Sequence, residues 1–68
     1  MNEETFNLSI RKFLKLVGIN SQRAMEQAVA KAIAGGRIIG TESFPVIVTL
    51  EVAGLELNEK FDGEIKLE

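Results

Sequence analysis

The chain contains no histidine, cysteine, tryptophan or tyrosine, and a single proline. Each absence excludes something. Without cysteine there can be no disulfide, and without cysteine or histidine a structural zinc site has no ordinary ligands. The same gap removes the commonest nucleophile–base pairs and the one side chain that titrates near neutrality. An enzyme built from this chain would work with carboxylates, lysines, serines and threonines alone. No apolar run approaches the roughly 20 residues needed to span a bilayer. Glu3 and Glu4 stand where a secretory leader would be positively charged, and no apolar stretch follows them. These absences lead us to expect a cytoplasmic protein with no membrane segment, no cofactor and no metal.

At 68 residues the expectation is one domain, with a helical half at 3–34, a connecting segment at 35–44 and a β half at 45–68. A chain this short buries only about 60% of its unfolded surface, so its core is near the minimum for independent folding. With disulfide and metal excluded, packing quality or self-association must supply the rest.

The periodicity of apolar residues changes halfway along. Phe6, Ile10, Phe13, Leu14 and Val17 recur at helical spacing, with Asn2 as the N-cap and Glu3 and Glu4 at the positive end of the helix dipole. Gly18 reads as a left-handed helix stop, and Asn20 or Ser21 as the cap of a second helix reaching Ala34. Met25, Ala28, Val29, Ala32 and Ile33 form its stripe, and Gly35-Gly36 ends it. From Pro45 the alternation has period two: Val46, Val48, Leu50 and Val52 face one way, and Ile47, Thr49 and Glu51 the other. Ala53-Gly54 predicts a two-residue hairpin turn that sets Val52 opposite Leu55 and Glu59 opposite Val48. Asp62-Gly63 predicts a second turn and a third strand ending at Leu67. The expected fold is therefore α+β: two N-terminal helices packed on one face of a small antiparallel β-meander, in the order α-α-β-β-β.

Charge is distributed unevenly. Residues 1–37 carry six basic side chains (Arg11, Lys12, Lys15, Arg23, Lys31, Arg37) against three acidic ones, a net +3. Residues 38–68 carry Lys60 and Lys66 against seven acidic ones, a net −5. The halves are electrostatically complementary, within one molecule or between two.

Segments Asn2 to Asn7, Ser9 to Lys15, Val17 to Ile19 and Ser21 to Arg23, with the later Asp62-Gly63-Glu64-Ile65, resemble a family of short bacterial proteins with no assigned function. The resemblance covers nearly the whole chain. It implies a compact stand-alone protein and brings no catalytic or ligand-binding residue with it.

Three functional classes are open on the residues. Glu56, Asn58 and Lys60 are expected on the outward face of one strand, near Glu51, where a carboxylate beside a lysine does acid–base work only inside a recess. A flat sheet face offers none, so catalysis is not expected. A helix, a turn at Gly18 and a helix opening with Ser21-Gln22-Arg23 outline a helix-turn-helix, with Arg23, Gln27 and Lys31 offered to a nucleic-acid groove. Against it stand Leu14 where that motif takes a small residue, Gln27 where it takes an apolar one, and a net charge of −2. Gly35-Gly36 lacks the spacing of a phosphate loop. The third class, which we expect, is a small interaction protein that pairs with itself. It rests on apolar residues without an obvious core position: Leu8, Ile38, Ile39, Phe44 and Ile47.

Overall fold

The computed structural model describes residues 1–68. The chain divides into two compact units, Met1–Gly35 and Gly36–Glu68.

The first unit is a single helix, α1, Glu3–Ala34. Asn2 caps it as expected: its Oδ1 accepts a hydrogen bond from the Thr5 N–H at 3.0 Å. Glu3 and Glu4 sit in the first turn and Lys31 in the last, each matching the helix dipole. At the far end the Gly35 N–H donates to Lys31 O at 3.0 Å, and Gly36, at φ +72°, turns the chain away. The expected break at Gly18 is absent, which corrects two helices to one. Glycine lacks only propensity there, about 1 kcal/mol relative to alanine. No proline supports a stop, and the small or apolar positions Val17, Ser21, Met25, Ala28 and Ala32 carry one face straight through the expected turn.

The second unit is a hairpin. Strand β1, Ser43–Val52, pairs antiparallel with β2, Leu57–Lys66, and no third strand exists. Residues 37–42 are not a strand. The fold order is thus α-β-β, not α-α-β-β-β. The connection is a 3-10 turn, Ala53–Leu55, closed by Glu56 in the left-handed region at φ 51°. A two-residue loop of the expected kind needs left-handed backbone at both central positions, which alanine resists. The longer loop moves the register by two residues. Val52 pairs with Leu57, Leu50 with Glu59, Val48 with Phe61, Val46 with Gly63 and Phe44 with Ile65.

That register explains why Asp62-Gly63 is not a turn. Continuing the strand joins Phe44 to Ile65 across the ladder, a contact that turning at 62–64 would forfeit. Gly63 serves a close approach instead: a Cβ placed on it would lie 3.3 Å from Val46 Cγ1. The expected facing of β1 holds. Phe44, Val46, Val48, Leu50 and Val52 share one face with Leu57, Phe61 and Ile65; Glu59 is the one charge among them. The opposite face carries Ile47, Thr49, Glu51, Asn58, Lys60, Asp62 and Glu64.

Glu42 O accepts from the Leu67 N–H at 3.0 Å, and this bond sets the parity of the ladder. Even-numbered residues of β1 turn their N–H and C=O toward β2. Odd-numbered ones, Pro45 among them, turn theirs toward the other edge, which no strand covers. Pro45 therefore removes no bond from the hairpin.

Candidate interaction surfaces

Neither unit buries a single residue. The apolar side chains that define each element are half-buried at most, so the candidate site is surface.

On α1 the apolar residues occupy two sides. The long stripe runs from Phe6 through Ile10, Leu14, Val17 and Met25 to Ala32. Leu8, Leu16 and Ile19 stand elsewhere on the circumference, 64%, 59% and 49% exposed. Shallow open grooves connect them to the basic residues: one is lined by Leu8, Ser9, Arg11, Lys12 and Lys15, its neighbour by Lys12, Lys15, Leu16 and Ile19 with Ser9 and Phe13. Between residues 8 and 23 there are four cations and no acid.

The residues expected at an interface fall in three places. Leu8 is on the basic side of α1. Ile38 and Ile39 belong to the connector, Ile38 half-buried and Ile39 81% exposed. Phe44 lies on the apolar face of the hairpin, while Ile47, 63% exposed, sits on its polar face directly across from Asp62. Within the hairpin, Phe44 and Ile47 therefore lie on opposite faces.

Arg23, Gln27 and Lys31 do share a side of α1, four residues apart. They do so on an uninterrupted helix, so no recognition helix is set off from a supporting one. The helix-turn-helix geometry is absent because its turn is absent. Of the carboxylate–lysine group, Asn58 and Lys60 stay on the strand beside Glu51, on the same face of the hairpin, whereas Glu56 belongs to the turn.

One polar arrangement escaped the sequence. The Glu42 carboxylate accepts from three successive backbone N–H groups, Ile39 at 3.0 Å, Gly40 at 2.9 Å and Thr41 at 3.1 Å. Hydrogen bonds from Ile39 and then Gly40 stabilise the charged form and hold its pKa below the ordinary carboxylate range, over a smaller opposing effect of desolvation. No cation assists: the one ion pair of the chain joins Lys66 to Glu64 at 3.7 Å, both exposed. The only signal in the sequence is Gly40, whose φ of 107° curls the connector around the carboxylate. The arrangement is a nest filled by the chain's own acid, which ties the connector to the start of β1.

No group of His, Cys, Asp or Glu could hold a metal ion, and no helix is long and apolar enough to cross a membrane. A family of unknown function, DUF6494, matches residues 1–68. The chain belongs to that family. The resemblance to short proteins of unassigned function is thereby established, and for DUF6494 it extends to every element described above. Neither the curated proteins nor the solved structures give a match.

Proposed function

We propose that this protein is a small non-enzymatic interaction protein that works as a homodimer. The observation carrying this reading is that neither unit buries a residue. Isolated helices and two-stranded hairpins are marginal in water, and most of their stability in proteins comes from packing an apolar face. Both units here have such a face. The chain's own inventory falls short of covering them. Its helix rises about 48 Å, at about 1.5 Å per residue, whereas a ten-residue strand spans about 33 Å. The helix is apolar on two sides and the hairpin on one. A second copy supplies the missing surface, and complementary charge favours it: the helical half is positive and the β half negative.

Support for a non-enzymatic role comes from the grooves, which are open tracks along one helix, and from the exposed sheet face that carries Glu51, Asn58 and Lys60. The preference for interaction over nucleic-acid binding rests on the net charge of −2 and the unbroken helix.

Light scattering should return twice the 7.5 kDa chain mass, and the thermal midpoint should rise as the sample is concentrated. A monomer mass together with a midpoint independent of concentration would overturn the proposal.

A further inference from the structure

A two-stranded sheet has two edges, and here they differ in kind. β2 presents Glu59, Lys60, Asp62, Glu64 and Lys66, charges of both signs along most of its length. Charge along an edge is how natural sheets refuse a further strand. β1 reads Ser-Phe-Pro-Val-Ile-Val-Thr-Leu-Glu-Val, with no charge before Glu51 and five β-branched residues. Its one protective feature is Pro45, which strips an N–H from the open edge near the start of the strand. From Ile47 onward the edge keeps all its donors and acceptors: Ile47, Thr49 and Glu51 point theirs away from β2, unpaired by any strand.

We infer that this edge is the interface of the homodimer: β1 of one copy pairs antiparallel with β1 of the other, joining two hairpins into a four-stranded sheet. The inference rests on the homodimer reading and says which surface makes it. A strand pairing with itself about a two-fold axis is self-complementary, as a closed dimer requires. Centred on Thr49, the pairing sets Thr49 against the partner's Thr49, a favourable cross-strand pair. Val48 then meets the partner's Leu50 and Val46 the partner's Val52, so the apolar face continues without a break across the axis. The outward bonds come from Ile47, Thr49 and Glu51, which the ladder leaves free. Pro45 falls outside them. Four strands with one apolar face also pass the threshold at which a sheet becomes independently stable.

Amide hydrogen exchange on the unmodified protein, at a concentration where its mass has been measured, tests this. The Ile47, Thr49 and Glu51 amides should exchange at least tenfold more slowly than those of Lys60, Asp62 and Glu64, which point away from β1 on the other strand, and dilution should erase the difference. Thr49→Pro should raise the dimer dissociation constant at least tenfold while the Val48 and Leu50 amides stay protected, because the lost N–H faces outward. If the mass is that of a dimer but the two sets of amides exchange alike, the edge is not the interface and the homodimer stands on another surface. An unchanged dissociation constant in Thr49→Pro would likewise remove the edge from the interface. If the mass is that of a monomer, edge pairing and homodimer fall together.

Discussion

Gly18 and Glu42 show how far one residue's meaning depends on its surroundings. Gly18 lies inside α1, and a Cβ built on it would meet nothing within 4 Å. Gly18→Ala should therefore stabilise the helix by up to about 1 kcal/mol, read as a higher thermal midpoint with unchanged helical circular dichroism. A loss of stability would mean that the position needs left-handed backbone after all. Glu42 is the opposite case, a residue whose chemistry is visible only once the chain is folded. Its pKa is lowered in the folded state, so it adds stability above the ordinary carboxylate pKa, about 4.3. That contribution fades as pH falls through the lowered folded value. Acidification through that window should release the Ile39, Gly40 and Thr41 amides to exchange, and Glu42→Ala should release them at neutral pH. Amides that stay protected in the alanine variant would show that the connector holds its form without the carboxylate.

At the scale of elements, the two faces of the hairpin make different predictions. Phe61 stands opposite Val48 on the apolar face, and Lys60 opposite Thr49 on the other. Phe61→Asp should lower stability by about 1–3 kcal/mol, whereas Lys60→Ser should stay within about 0.5 kcal/mol, both read by chemical denaturation. Equal effects would mean that the two faces do not differ, and a larger loss in Lys60→Ser that they are assigned the wrong way round. That assignment was legible in the sequence, because alternation from Val46 to Val52 has period two whatever the strand pairs with. So was the change from helix to strand after Ala34, marked by Gly35-Gly36. Breaks and registers were not legible. Gly18 and Gly63 carry the same local signal as a helix stop and a turn. What decides each lies elsewhere: a helical face continuing through Ser21 and Met25 in one case, and Val46 on the neighbouring strand in the other. The hairpin register depended on Ala53 resisting a tight turn, a backbone preference that hydrophobic pattern does not contain. Of the candidate surface, Leu8 and Ile47 stood out in the sequence as apolar residues on polar faces, but the ladder parity that opens Ile47, Thr49 and Glu51 needs the folded hairpin.

For the whole molecule, the connector offers a test of association that spares the elements. Ile39 is 81% exposed, and its N–H is held by Glu42 whatever its side chain. Ile39→Lys should leave a lone chain's fold unchanged. In a dimer with Ile39 at the interface it should weaken association about tenfold or more, since a lysine cannot be buried there unpaired. Sedimentation over a range of concentrations separates the cases, and an unaltered dissociation constant would place Ile39 outside the interface.

The unlike edges of the hairpin also govern stoichiometry. A sheet open on both sides has a valence of two, and each added subunit leaves a fresh end for the next, the growth law of a filament. In the pairing we infer, only β1 is receptive, and a two-fold axis would consume that side in both copies at once. What then faces outward on either flank is β2 with its run of charges. On that pairing growth should stop at the first step, so raising the concentration should fill the dimer rather than lengthen a polymer.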